Sequence, residues 1–316
     1  IAKWCRLDAK LFEQQYKDHL SDFHAWNQKQ HAHEWLLFED NLGTCLSLDE
    51  TSISNGELYS VITNKAAKGG TGSLVAIIES TKSDVISAVL DKIPLASRTR
   101  VEEVTIDFSP SLELAVTSSF PNARITTDRF HVQKLVSEAL QEMRITLRWK
   151  AIQDENEATK AAKEQGKCYI PKACTNGDTK KQLLARSRYL LFKPKGKWTS
   201  HQQQRAAVLF ELFPELKQAY ELTMCFRGIY ETSTTKEEAQ IRLRAWYEKT
   251  NRSNISSFAT VSMYLKNHED TILNYFPDRS TNASAESFNA KLKGFRALVR
   301  GVRDKKFFLF RVSKIY

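Results

Sequence analysis

Two stretches, Thr44-Cys45-Leu46-Ser47-Leu48-Asp49 and Val101-Glu102-Glu103-Val104-Thr105-Ile106-Asp107, decide how the chain is read. In the last four residues of each, apolar and polar side chains alternate, the period of a strand with one buried face. Leu46 and Leu48 share one face, Ser47 and Asp49 the other. Val104 and Ile106 share a face, and Asp107 stands at the strand's carboxyl end. Working outward, 58–64 and 74–79 are further apolar runs, set off by the turn pairs Asn55-Gly56 and Gly69-Gly70. With 45–51 they read as an antiparallel meander of three strands. Residues 84–92 read as a helix stopped near Pro94, and 101–106 as a fourth strand. Ser109-Pro110 starts a helix, Ser as N-cap and Pro in the first turn, that runs to about Ser119. Residues 123–126 form a fifth, short strand, and 129–149 a long helix. The element order matches an RNase H-like fold, a mixed sheet flanked by helices, in which the first and fourth strands are parallel neighbours.

The flanks have a different texture. Residues 1–40 read as helical, with Leu11, Tyr16, Leu20, Phe23 and Trp26 as buried positions. Residues 150–280 are rich in Ala, Lys, Glu, Gln and Leu. They read as an all-helical insertion, with helices near 200–213, 215–227, 235–250 and 256–275 around Trp198, Trp246 and Tyr247, and a loop at 166–177. A last helix begins near Ala283. The expected division is 1–43, an N-terminal helical segment; 44–150, the first part of the core; 151–280, the insertion; and 281–316, a final helix and basic tail that complete the core.

Composition narrows the function. With 316 residues, 41% of them hydrophobic, the chain can bury a sizeable core. No apolar run approaches a membrane span, and the first ten residues lack a signal-type apolar core. The cysteines at 5, 45, 168, 174 and 225 form no C-x-x-C pair, which points away from a zinc site or disulfide framework and toward a reducing, cytoplasmic setting. The net charge of +10 suits a polyanionic partner. Between Lys291 and Lys314 nine Lys or Arg face one acid, Asp304, with Phe295, Phe307, Phe308 and Phe310 interleaved. Such a segment either tracks phosphates, with its rings anchoring it or stacking on bases, or is a solvated amphipathic helix.

Three carboxylates carry the chemistry. Asp49 and Asp107 would stand side by side at the ends of parallel neighbours, where ligands gather in open α/β sheets. Carboxylates so close repel unless a cation neutralises them, and an all-oxygen site suits Mg²⁺ or Mn²⁺. A strand-end Asp can equally be a turn former or a cap. Glu286 adds weight. Taken as one helix over 282–303, the segment carries a polar stripe of Glu286, Asn289, Lys293, Arg296 and Arg300. An apolar stripe of Phe288, Leu292, Phe295 and Val299 lies about 100° away. If the apolar stripe packs on the sheet, the polar one lines its margin and runs from metal site to phosphate backbone. By itself the helix would read as an ordinary surface element.

Five runs together resemble the bacterial insertion-sequence transposases of the ISL-three group: Leu46-Ser-Leu-Asp49-Glu-Thr, Val104-Thr-Ile-Asp107, Phe120-Pro-Asn-Ala123, Asp128-Arg-Phe-His131-Val and Thr281-Asn-Ala-Ser-Ala-Glu286-Ser-Phe-Asn289-Ala-Lys-Leu-Lys293. The segment ending Arg300-Gly301-Val302-Arg303 is similar as well. Likeness through 183–192 and 197–207 is closest to the ISAon-type members. The resemblance implies a DDE transposase whose carboxylates Asp49, Asp107 and Glu286 hold two Mg²⁺ or Mn²⁺ ions for DNA cleavage and strand transfer. Asp128 is the rival for the second Asp. The Asp-x-x-His pair Asp128 and His131 resembles a motif kept near the site, His131 being either an outer group of that site or a core histidine.

Double-stranded DNA is the implied partner, with Lys293, Arg296, Arg300 and Arg303 on its phosphates and a homo-oligomer assembled on it, in the bacterial cytoplasm and nucleoid. No zinc-binding or helix-turn-helix module is recognisable before Thr44. The chain is then a fragment, or a separately encoded protein recognises the DNA ends. The competing readings are an RNase H-like nuclease or resolvase that cuts without joining, and a domesticated, non-catalytic DNA-binding protein.

Overall fold

A computed structural model describes residues 5–6, 8–53 and 56–316. Its contacts divide the chain into two units, one of residues 1–128 with 279–316 and one of Arg129–Asp278.

The first unit is built on a six-stranded sheet of β1 (Trp35–Leu37), β2 (Cys45–Ser52), β3 (Leu58–Asn64), β4 (Leu74–Ile78), β5 (Glu103–Ile106) and β6 (Arg124–Thr127). The order across the sheet is β1-β4-β3-β2-β5-β6. The meander β2-β3-β4 is antiparallel, whereas β2 and β5 run parallel with Leu46 opposite Val104 and Leu48 opposite Ile106. β6 joins β5 in parallel, Val104 opposite Ile125. This is the mixed, helix-flanked sheet expected from the sequence. The Asn55 half of the first turn pair lies outside the described residues, while Gly56 takes φ +82°, a conformation open to glycine.

Alternation decides what covers each face. Leu46, Leu48, Ile62, Val104 and Ile106 meet Ile86, Leu90, Leu112 and Val116 from the helices Ser83–Leu90 and Pro110–Ser119. On the other face Tyr59, Val61, Leu74 and Ile77 meet Phe288 and Leu292 of helix Ala283–Leu298 and Phe308, Leu309 and Val312 of helix Lys305–Ile315. Each such side chain stabilises the fold by roughly 1.5–3 kcal/mol on burial. Ser109 caps its helix by position, with Pro110 next, but its hydroxyl makes no capping bond.

Several expectations need correction. Among the described residues of the N-terminal region, Ala9–Gln15 and Tyr16–Leu20 are helical, residues 35–37 form a strand and a short 3-10 turn follows at Glu39–Asn41. Phe23 is buried, but Leu11 and Leu20 are exposed. The final helix stops at Leu298 instead of continuing to 303. Gly301 N–H donates to the Arg296 carbonyl and Arg300 N–H to that of Ala297, with Arg300 at φ +57°. That pattern of bonds is a Schellman ending with an arginine in the left-handed position.

The second unit is built of helices, with an irregular stretch at 165–179 that is closed by a bridge between Ala173 and Thr179. Helix Arg129–Glu164 runs well past the expected end at 149. Lys180–Arg186, Arg188–Leu191, Ser200–Leu212, Pro214–Thr232, Lys236–Ser253 and Ser256–Asn267 follow, and the expected helix 256–275 is broken into three. Thr179 with Gln182, and Thr199 with Gln202, form capping boxes that satisfy helix-start amides. Trp246 is fully buried, its indole N–H donating to the Leu222 carbonyl at 2.9 Å. Among the described residues no helix is long and apolar enough to cross a membrane.

Candidate active site

β2 and β5 deliver two carboxylates to one edge. Leu48 pairs with Ile106, and the next residue on each strand is an aspartate, Asp49 and Asp107. Asp49 is buried, its Oδ1 accepting the Glu50 backbone N–H at 2.7 Å. Burial, and then the charge of Asp49, push the Glu50 carboxyl above its usual range.

Helix Ala283–Leu298 reaches both strands through two asparagines. Asn289 Nδ2 donates to Asp49 Oδ2 at 2.6 Å. Asn282, fully buried at the helix start, donates from Nδ2 to Asp107 Oδ1 at 2.9 Å and to the Leu48 carbonyl at 3.3 Å. Its backbone N–H donates to Asp128 Oδ1 at 3.0 Å, and Asp128 N–H donates to the Ile106 carbonyl at 2.8 Å. One asparagine thus ties together the ends of β2, β5 and β6. Glu286 lies one turn on, its N–H donating to the Asn282 carbonyl at 2.9 Å. At about 100° per residue, Glu286 is about 40° and Asn289 about 20° to either side of Asn282. Glu286 therefore lies on the side of the helix that carries the two asparagines.

Glu286 is exposed, whereas Asp128 is 3% exposed. Among the described residues no three acidic, histidine or cysteine side chains form a ready metal-binding group. The donor chemistry nonetheless fits a hard cation. The amide oxygens of Asn282 and Asn289 are buried without a hydrogen-bond partner, beside the two aspartates their nitrogens engage. Carboxylate and amide oxygens are what Mg²⁺ or Mn²⁺ takes. His131 falls in the helical unit, edge-on to Phe130 at 5.7 Å.

Just behind Asp107 the same face of β5 carries Thr105 and Glu103. Lys65 Nζ and Arg124 Nη2 each meet Glu103 at 2.7 Å, and Lys65 also reaches Ser280 at 2.5 Å and Thr105. Burial pushes the Glu103 carboxyl up, but the bonds from Lys65, Ser280 and Arg124 outweigh it and hold the group below its usual range. None of Lys65, Glu103, Ser280 and Asn282 stood out in the sequence. Asn282 alone had a local signal, an Asn just before a helix.

Of the basic positions, Lys293 and Arg303 are exposed, Arg300 is exposed beyond the helix end, and Arg296 is half-buried. Phe307, Phe308 and Phe310 are buried, so those rings anchor the segment and are not available to stack on bases.

A mixed sheet with paired aspartates at the ends of parallel neighbours, helices on both faces and a helical unit before the last helices, has the architecture of an RNase H-like DDE fold. Comparison with protein families matches residues 46–312 to the ISL3-type DDE transposases, a family described as transposase. The chain belongs to that family, and so to the DNA-transposing, phosphoryl-transfer proteins, which generally use divalent metals. Comparisons with curated proteins and with solved structures found no match.

Proposed function

We propose that the chain is the catalytic subunit of an ISAon-type insertion-sequence transposase. In this reading it cuts DNA at the element's ends and joins the freed ends to target DNA, with Asp49, Asp107 and Glu286 as its catalytic carboxylates. The observation that supports the reading is the pair of asparagine bonds, Asn289 to Asp49 and Asn282 to Asp107, made by the helix that carries Glu286. Asp107 is preferred to Asp128 because it follows the residue paired with Leu48, while Asp128 is buried and receives the N–H at a helix start. The helical unit is then an insertion between the second Asp and the Glu.

Two bound Mg²⁺ or Mn²⁺ ions would supply nucleophile activation and charge neutralisation at the phosphate. The chain's part is to position. Asn282 and Asn289 orient the aspartates, and Lys293, Arg296, Arg300 and Arg303 hold flanking phosphates of double-stranded DNA. Water first displaces a 3′-oxygen from phosphorus and frees a 3′-hydroxyl. That hydroxyl then displaces a 3′-oxygen in target DNA, so each step exchanges one P–O bond for another without a covalent protein intermediate. The active form is read as a homo-oligomer on DNA, with end recognition supplied by a separately encoded protein.

Glu286→Gln tests the assignment, because it keeps shape and removes one charge. On a duplex oligonucleotide carrying the element's end, with Mg²⁺, cleavage and joining should fall together by about 100-fold or more, with DNA affinity retained. An active variant would remove Glu286 from the site. Wild-type cleavage with no joined product would make the chain a nuclease, and no metal-dependent activity at all would leave a DNA-binding protein.

A further inference from the structure

The helical unit gathers three arginines, Arg144, Arg148 and Arg188, that form no ion pair among the described residues. Arg144 and Arg148 stand four residues apart on helix Arg129–Glu164, hence on one face. Arg144 is 6% exposed and donates from Nε to Gln141 Oε1 at 2.7 Å and from Nη1 to the Leu184 carbonyl at 2.9 Å. Gln141 Nε2 donates to the Arg188 carbonyl at 3.4 Å, which brings the backbone of a third arginine beside the first. Burial first, then the charges of Arg188 and Arg148, pull Arg144 below the usual guanidinium range, and no carboxylate opposes them. None of the positions three or four residues from these arginines is acidic: Leu140, Gln141, Ile145, Leu147, Ala151, Ile152, Leu184, Ala185, Leu191 and Phe192. Arg148 Nε is buried without a hydrogen-bond partner.

Two large rings, Trp149 and Tyr189, adjoin these arginines in sequence. Trp149 is 62% exposed and Tyr189 68% exposed, and the Arg188 guanidinium lies 5.6 Å from the Tyr189 ring centre. Like charges crowded in partly desolvated surroundings cost stability unless an outside anion offsets them. Exposed aromatics beside guanidinia are the chemistry of a phosphodiester strand, its phosphates on the charges and its bases or sugars on the rings. We propose that Arg148 and Arg188, with Trp149 and Tyr189, form a DNA-contacting surface on the helical unit. This surface is additional to Lys293–Arg303 and holds a strand by phosphate and ring contact, without reading sequence. The choice of DNA as the polyanion rests on the transposase reading above.

The test uses the full chain with a fluorescein-labelled duplex of arbitrary sequence, about 30 base pairs or three helical turns long, and a single strand of about 30 nucleotides. Anisotropy is measured across a salt series. Arg148→Ala with Arg188→Ala should weaken duplex binding and lower the magnitude of the salt slope by about 1–2 units. The paired Lys substitutions should restore the slope, which a purely structural role of the guanidinia would not predict. Trp149→Ala should weaken single-strand binding about 5-fold or more. Wild-type slope and affinity in the folded double variant would overturn this surface and leave the transposase reading standing. A wild-type chain without affinity for either probe would overturn both. If the double variant does not fold, unchanged single-strand affinity in Trp149→Ala, an exposed position, overturns the surface.

Discussion

The C-terminal basic segment divides at Asp304 into two parts of like composition and unlike circumstance. Before it, Lys293, Arg296, Arg300 and Arg303 have no ion pair among the described residues. After it, the cations are tied inward. Lys305 meets Glu57 at 2.9 Å and Glu79 at 3.0 Å, Arg311 meets Glu13 at 3.1 Å, and Lys314 meets Asp22 at 2.5 Å. Phe307, Phe308 and Phe310 between them are buried. A run of Lys, Arg and Phe thus describes both a surface open to phosphates and a helix that seals one face of the sheet. The acids that decide which is which lie more than two hundred positions away in sequence.

Substitutions on either side of Asp304 put the division at risk. The largest stability effect is expected from Lys305→Met, which keeps the stem over the Tyr59 ring but leaves Glu57 and Glu79 without their shared cation. Urea unfolding should show a loss of about 1 kcal/mol with DNA affinity unchanged. A loss of DNA affinity without a loss of stability would place Lys305 with the open cations.

Asp304 should give a smaller, pH-dependent effect. Burial pushes its carboxyl up, but bonds from Lys17 and from the Phe307 backbone N–H outweigh it and hold the group below its ordinary value of 3.8. A carboxyl depressed in the folded state stabilises above its unfolded value, and that stability is lost as pH falls through the folded one. Unfolding midpoints taken from about pH 6 down to about pH 3 should therefore fall less steeply in Asp304→Asn than in the parent. Equal slopes would show that the cap and ion pair do not couple to folding.

Arg300→Ala should change stability least, within about 0.5 kcal/mol, since both residues bear the same left-handed strain. Its effect belongs to DNA: binding should weaken about evenly for all sequences, and the salt slope should shrink by about one unit. Affinity lost for one sequence alone would mean base contact.

β2 and β5 were legible by their alternation, and β3 and β4 as apolar runs set off by glycine turns, and the parallel pairing that sets Asp49 beside Asp107 followed from the order of elements. β1 was not, because three residues cannot display a period, and Trp35–Leu37 becomes a strand only by pairing with β4. Leu11 and Leu20 misled because periodic leucines imply a buried face only where something covers it. The last helix was overextended because its left-handed terminal residue is Arg300, whereas the glycine that usually marks such an end comes one position later. Of the site, the acidic residues were visible as types at strand and helix ends. Asn282 was missed because its role lies in bonds to Leu48, Asp107 and Asp128, all more than 150 positions away.

The helices that cover the Val61, Leu74 and Ile77 face come from residues 283–315, after the whole helical unit. A ribosome adding about 5–20 residues per second takes roughly 10–40 s to pass from Arg129 to the last of them. Throughout that interval an apolar sheet surface has been made and its cover has not. The first unit therefore cannot finish folding as it is synthesised, and the nascent chain is a natural client for chaperones that shield apolar surface.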